Sequence, residues 1–196
     1  MSSHSIFDFI YQDRYSAKKR NIFAESVKVL MMFFTSHTRF ILPLLRLSQY
    51  YASKQCVSRA AKYLYKLVSR RYYRLCDLYN VELPIEVNLG RGCCFPHKFP
   101  LLINPQAVIG INCVIHPCVL IGRHRGKDGA PVIGDNCFIG HGAKIIGNPI
   151  IGDYCFITPG AVVSKNVPAC SVVGAGVNNI LSNNGKELIR LYQPSK

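Results

Sequence analysis

The sequence predicts a mainly β protein, in which a parallel β-helix follows a basic helical region and precedes a short C-terminal helix. The first observation is a six-residue period across residues 83–173, with two interruptions and an aliphatic residue at nearly every step. The residues in this register are Ile103, Ile109, Ile115, Ile121, Ile133, Ile139, Ile145, Ile151, Ile157 and Val163. A period of six fits neither an α-helix nor an ordinary strand, so it indicates stacked coils that share one core.

The second observation is a small residue four positions after each aliphatic one. These residues are Val87, Cys93, Ala107, Cys113, Val119, Cys137, Ala143, Pro149, Cys155, Ala161 and Val167. Both sets are expected to point inward. Glycine often follows the aliphatic residue directly, where we expect it to provide a corner backbone that a side chain would strain; examples are Gly90, Gly110, Gly122, Gly134, Gly140 and Gly152.

Two interruptions of the register predict loops that leave the β-helix, and such loops often carry function. The first, at residues 95–100, leaves two extra residues before Ile103 and contains His97. The second, at residues 123–131, is polar and basic.

Charge and cysteine content limit the classes of function. The formal charge is +14, and most of the excess of Lys and Arg lies in residues 1–80. There are nine cysteines. Four of them occupy the small inward position, where free cysteine packs as a small apolar residue, and their spacing does not match a zinc site. We therefore expect no metal.

The region before the β-helix is predicted to be helical. Residues 22–36 are strongly apolar but too short for a membrane span, which favours a buried helix. Residues 40–80 show amphipathic periodicity, with Pro43 at an early break or first turn. The basic face of this segment is either a solvated face or subunit contact, or a surface for anionic membrane; no motif supports nucleic acid.

Three regions follow from these patterns. Residues 1–80 form the N-terminal α-helical basic region, residues 81–177 the β-helix with the extruded loop 123–131, and residues 178–196 a C-terminal tail. A short helix at residues 186–192 is expected to cap the open end of the β-helix.

Three stretches resemble the hexapeptide-repeat acyltransferases, and within them the serine acetyltransferase-like group: VELPIEVNLGRGCCFPHKFPLLINPQAVIGINCVIH, PVIGDNCFIGHGAKIIGNPIIGD and VVSKNVPACSVVGAG. Members linked to capsular and extracellular polysaccharide are the most similar. The resemblance implies a left-handed β-helix, a homotrimer with sites between subunits, and transfer of acetyl from acetyl-CoA to a hydroxyl.

The resemblance also assigns residues. It implies His97 as the general base, a task that suits imidazole near neutral pH, and Glu82 as the carboxylate that orients it. From their positions, His116, Arg123 and Arg125 are expected to bind the acceptor, and the two arginines are also candidates for contact with the CoA phosphates. The residues expected to bind CoA are Gly140, His141, Gly142, Lys144, Pro159, Gly160 and Lys165.

Two departures from the serine enzymes guide the choice of acceptor. Those enzymes carry an acidic residue directly before the catalytic histidine and an Arg-His pair after the extruded loop, where this chain has Pro96 and Gly129-Ala130. We therefore expect a cytoplasmic O-acetyltransferase that acts on a sugar or polysaccharide precursor. The alternatives are a serine O-acetyltransferase of cysteine biosynthesis and a non-catalytic scaffold. Pairing of trimers through the N-terminal helices stays open, as does peripheral contact with the inner membrane face.

Overall fold

The structure is a computed structural model that describes residues 40–54, 56, 58–97, 100–124 and 128–192. The predicted helix at residues 22–36 lies outside the described residues. The chain divides into two compact units between Tyr79 and Asn80.

The first unit contains two helices that pack against each other, α1 (Ile41–Lys54) and α2 (Arg59–Tyr79). Pro43 lies in the first turn of α1, where its missing N–H is not needed. The buried apolar side chains of the pair include Leu44, Leu45, Val68, Tyr72 and Leu75. The helical segment predicted for residues 40–80 is therefore present, but as two helices that are separated between Lys54 and Arg59 and not at Pro43. Within the described part of the chain, neither helix is long and apolar enough to span a membrane.

The second unit is a left-handed parallel β-helix in which each coil gives one short strand to each of three sheets. Its strands are β1 (Val81–Glu82), β2 (Asn88–Leu89), β3 (Leu101–Ile103), β4 (Val108–Ile109), β5 (Val114–Ile115), β6 (Leu120–Gly122), β7 (Val132–Ile133), β8 (Phe138–Ile139), β9 (Lys144–Ile146), β10 (Ile150–Ile151), β11 (Phe156–Ile157), β12 (Ala161–Val163), β13 (Val172–Gly174), β14 (Gly176–Val177) and β15 (Asn179–Ser182).

Sheet A has the strand order β1-β3-β6-β9-β12-β14 and sheet B the order β10-β7-β4-β2. Sheet C has the order β15-β13-β11-β8-β5. Neighbouring strands are parallel except for the pair formed by β13 and β15. Each strand pairs with the equivalent strand of the next coil, so that Ile115 pairs with Ile139 and Ile139 pairs with Ile157.

The core follows the predicted six-residue register. The ten aliphatic residues of the register are each at most 1% exposed. The small inward residues are buried too, and four of them form a column of free thiols, at Cys93, Cys113, Cys137 and Cys155. Each thiol donates to a backbone carbonyl of the next coil, as Cys137 Sγ does to Gly152 O at 3.2 Å. The same position in the last coil is filled by Ser171, whose hydroxyl donates to Pro168 O at 2.7 Å.

The glycines that follow the aliphatic residues have a different role from the one expected. Gly110, Gly134 and Gly152 do not have a positive φ; the positive-φ corner is provided two residues later by Asn112, Asn136 and Tyr154. Instead, these glycines allow the coils to stack closely. A Cβ on Gly110 would lie 2.6 Å from the Gly134 carbonyl carbon, and one on Gly152 would lie 2.5 Å from Ala169 N. The constraint is therefore steric contact between coils, not backbone strain.

The C-terminal segment covers sheet C in two ways. Strand β15 pairs antiparallel with β13 and so covers the terminal edge of the sheet. Helix α3 (Gly185–Tyr192) places Ile189 in an apolar cluster on the outer face of the sheet, with Val114, Phe138, Phe156 and Val172. The helix thus lies along a side of the β-helix, and the strand β15 covers the edge that the helix was expected to protect.

Candidate active site

The candidate site lies where each coil turns from sheet C to sheet A. We call this the histidine corner and define it by residues 95–97, 116–118, 140–142 and 158–160. Backbone hydrogen bonds stack the corner residues of successive coils: His116 N donates to Ile139 O at 2.9 Å, and Gly160 N donates to His141 O at 2.9 Å. Side chains far apart in the sequence therefore lie in a row along the histidine corner.

Two histidines of the corner are in direct ring contact. The centroids of His97 and His116 are 5.4 Å apart, and the rings meet edge to face. His116 also contacts Phe138, at 4.8 Å between centroids. Phe138 in turn stacks on Phe156, at 4.5 Å and 2°. His116 is therefore half-buried between an aromatic wall and the exposed His97.

The charge state of His116 follows from this position. Burial lowers the pKa of His116 below its ordinary value of 6.5, and positive charge on His97 or His141 lowers it further. His116 is therefore neutral at pH 7. Among the described residues, no group of His, Cys, Asp and Glu side chains is arranged to hold a metal ion.

An open strip of backbone runs beside the histidines. Gly142 and Gly160 occupy equivalent positions in successive coils, with φ of 68° and 71°. A Cβ at either position would meet nothing within 4 Å, so the positive φ favours glycine there, and the absence of a side chain leaves the outer surface free. Cys118 occupies the equivalent position one coil earlier, with φ of 60°. The predicted residues Gly140, His141 and Pro159 border the same strip.

Glu82 lies outside the residues that define the histidine corner. It is exposed on β1 of sheet A, where it pairs with Leu102 in the next coil. Within the described part of the chain, no hydrogen bond or ion pair joins its carboxylate to His97. The ring that contacts His97 belongs to His116, so the structure adds a neighbour that the spacing argument did not predict.

The predicted basic residues lie on sheet A and at its far ends. Lys144 begins β9 and is exposed. Lys165 follows β12, and its N–H donates to Asn178 Oδ1 at 3.1 Å. Arg123 follows β6, and its Nη1 donates to Gln106 Oε1 at 3.2 Å. Arg125 lies outside the described residues. Arg123 and Lys165 follow the strands that begin at the histidine corner, and each comes five positions after the last corner residue of its coil, which is up to ~17 Å along an extended chain.

Sequence reasoning missed the aromatic wall. Phe138 and Phe156 both precede a register aliphatic residue, so they point away from the core and pair in register on sheet C. The signal was two aromatic residues at equivalent outward positions in successive coils. Sequence reasoning also missed the position of His116, whose ring packs against this aromatic wall.

Comparison with known proteins supports the assignment of the repeat and the fold. The family model described as bacterial transferase hexapeptide (six repeats) matches residues 130–165. The serine acetyltransferase of Synechococcus elongatus is 33% identical over 100 residues, which are 50% of this chain and 41% of that protein. The serine acetyltransferase of Buchnera aphidicola is 27% identical over 198 residues, 95% of this chain and 74% of that protein.

A solved structure gives the same result for the fold. Serine acetyltransferase from Brucella abortus, in complex with coenzyme A, has a TM-score of 0.63 at 24% identity and covers 90% of this chain and 65% of that chain. All three proteins are named as serine acetyltransferases. This chain spans about two fifths of the Synechococcus protein. In repeat, fold and relatives, the chain resembles the serine acetyltransferases and the hexapeptide-repeat transferases.

Proposed function

We propose that the protein is an acetyl-CoA-dependent O-acetyltransferase. The observation that carries the proposal is the histidine corner, where the exposed His97 lies beside a half-buried neutral His116 and a strip of side-chain-free backbone. The chemistry needs a group that accepts a proton near neutral pH at a surface open to two substrates. The serine acetyltransferases found by comparison supply the reaction class.

In the proposed reaction, the acceptor hydroxyl oxygen attacks the thioester carbonyl carbon of acetyl-CoA. A C–O bond forms, the C–S bond breaks, and the CoA sulfur leaves. His97 takes the hydroxyl proton as the oxygen attacks and returns it to the sulfur, so the base is regenerated. Glu82 remains the proposed orienting carboxylate. It is exposed on the coil that precedes His97, and a bound substrate would have to bring the two side chains together.

Acetyl-CoA is proposed to lie along the open strip. Gly142 and Gly160 present backbone without side chains, Pro159 and His141 are exposed beside them, and the buried Gly140 lets Pro159 of the next coil pack closely behind the strip. The pantetheine arm is a narrow chain that fits against such a surface. The phosphates require positive charge, which the exposed ammonium groups of Lys144 and Lys165 provide.

Serine is the first acceptor to test, because the relatives are serine acetyltransferases. A sugar hydroxyl is the second candidate. It is favoured by Pro96 and Gly129-Ala130, which stand where the serine enzymes carry the charged groups that hold a zwitterion. Arg123 is exposed and is kept as a proposed acceptor contact.

The assay that tests the function measures CoA release chromatographically from acetyl-CoA with L-serine, with nucleotide sugars and with no acceptor. We expect acceptor-dependent release that is lost in His97→Ala and retained in His124→Ala, a matched exposed histidine outside the corner. Turnover on serine alone assigns serine; turnover on a sugar alone assigns the second candidate. Absence of both release and acetyl-CoA binding overturns the enzyme and leaves the scaffold.

The proposed assembly is a homotrimer, the arrangement implied for this type of protein. Sedimentation of the purified chain tests it, and a monomer at micromolar concentration contradicts it.

Anionic membrane is proposed as a partner of α2, whose exposed face combines Lys62, Lys66 and Arg70 with Tyr63, 71% exposed, and Leu67, 48% exposed. Flotation with anionic and with neutral vesicles tests this contact, since only the anionic vesicles should carry the protein.

A further inference from the structure

The packing of His116 suggests a role other than acceptor binding. Its backbone N–H donates to Ile139 O at 2.9 Å, which fixes its position on the stacked coils. Its ring lies against Phe138, which stacks on Phe156 of the following coil. The imidazole is therefore held on one side by an aromatic wall that belongs to the rigid face of sheet C.

The opposite side of His116 meets His97. His97 is exposed, and its ring contact with His116, at 5.4 Å between centroids, joins it to the stacked coils. Glu82, by contrast, is not joined to His97 by a hydrogen bond in the described structure. A series of ring contacts thus runs from Phe156 through Phe138 and His116 to His97.

We propose that His116 is a positioning residue that holds the His97 ring against the corner in the orientation needed for proton transfer. The inference rests on the proposed function, because it assumes that His97 is the base. Burial lowers the pKa of His116, so at neutral pH the ring presents an uncharged aromatic surface and does not repel a protonated His97. Misplacement of a catalytic group by about 1 Å costs on the order of 100-fold in rate.

Three variants separate positioning from acceptor binding. His116→Ala removes the ring, His116→Phe keeps a ring without hydrogen-bonding groups, and His116→Gln keeps hydrogen-bonding groups without a ring. A positioning role predicts that His116→Ala and His116→Gln lower kcat by about 10- to 100-fold, with KM for both substrates within about twofold of wild type. His116→Phe should restore most of kcat.

Acceptor binding predicts the opposite pattern, in which His116→Phe raises the acceptor KM as strongly as His116→Ala does and His116→Gln retains near-normal KM. That result overturns the proposal. His124→Ala serves as the control for replacing an exposed histidine outside the corner, and its kcat should equal that of wild type.

A second measurement does not depend on activity. In histidine-labelled protein, the imidazole resonances of His97 are assigned by comparison with His97→Asn. We expect them to shift in His116→Ala and to stay closer to wild type in His116→Phe, because a ring next to His97 is retained. Unchanged His97 resonances in His116→Ala overturn the contact. If the wild-type chain transfers no acetyl group, the proposed function fails while this measurement still decides the ring contact.

Discussion

His97 and His116 are 19 positions apart in the sequence, yet their rings meet with centroids 5.4 Å apart and planes at 61°. The contact exists because one coil returns the chain to the same corner. Cys94 and Val114 form a parallel bridge, so the residues that follow them turn the corner together. A loop residue and a half-buried ring thus become neighbours through the stacking alone.

The first prediction concerns stability and pH. Burial, with positive charge on His97 and His141, lowers the pKa of His116 in the folded state below the unfolded value of 6.5. Between the two pKa values the unfolded chain binds more protons than the folded chain, so the free energy of unfolding falls as the pH drops below about 6.5. His116→Phe removes this term.

Urea unfolding at pH 7.5 and at pH 5.5, at one protein concentration, measures how the free energy of unfolding depends on pH. The loss of stability between these pH values should be smaller in His116→Phe than in wild type. Equal losses in both proteins contradict the lowered pKa.

The core of the β-helix was predictable from the sequence because a stacked coil imposes the same inward positions on every turn. Ile115, Ile139 and Ile157 share a register that is visible without coordinates, and all three are fully buried. The same logic places Cys113 and Cys137 inside. The reason for the glycines was not predictable, since a close approach between Gly152 and Ala169 depends on how two coils meet.

The site was predictable only in part. The position of His97 in a register break could be identified by resemblance, and its exposure agrees with a loop. The ring contact between His97 and His116 could not be predicted, because this contact depends on the direction in which the two side chains leave the corner. The C-terminal helix was expected from its composition, but its place on the outer face of sheet C depends on Phe138 and Phe156, whose outward position appears only when the coils are paired.

The second prediction distinguishes two glycines with the same place in the repeat. A Cβ at Gly152 would lie 2.5 Å from Ala169 N and 2.7 Å from its Cα, whereas a Cβ at Gly122 would meet only Leu120 Cδ2, at 3.2 Å. Backbone cannot move aside without separating the coils, but the end of a leucine side chain can. We expect Gly152→Ala to lower the free energy of unfolding by about 1–3 kcal/mol.

Gly122→Ala is the matched control and should stay within about 0.5 kcal/mol of wild type. Denaturant unfolding of both variants gives the comparison. Equal destabilisation would show that glycine is required at this position for its backbone conformation.

The third prediction concerns thiol reactivity. Cys56 and Cys118 are exposed, whereas Cys76 and the four thiols of the column are buried. Burial raises the pKa of Cys76 to about 11, which leaves little thiolate at neutral pH. A thiol reagent at pH 7.5 should therefore label the exposed cysteines first and reach the buried ones only after denaturation.

Mass spectrometry of tryptic peptides identifies the labelled positions. The control is the fully denatured chain, in which all nine cysteines should react, since the described cysteines are free. Early labelling of Cys113 or Cys137 in the native protein would contradict the buried column.

The fourth prediction tests the aromatic wall with two variants. Phe138 and Phe156 stack on each other, so replacing either by leucine removes the same pair of stacked rings and reduces the side-chain volume by the same amount. Phe138 alone lies in the coil next to His116 and contacts its ring, at 4.8 Å. We expect both variants to lose similar stability, about 1–2 kcal/mol each, because part of a buried ring is lost.

Only Phe138→Leu should also lower kcat, by about tenfold or more, because His116 loses the surface that holds it. The measurements are denaturant unfolding and steady-state kinetics with the acceptor found active. Phe156→Leu serves as the control for general loosening of sheet C, since Phe156 lies one coil further from His116. If both variants lose kcat in proportion to stability, the wall supports the fold alone. A loss confined to Phe138→Leu ties the rate to the contact between Phe138 and His116.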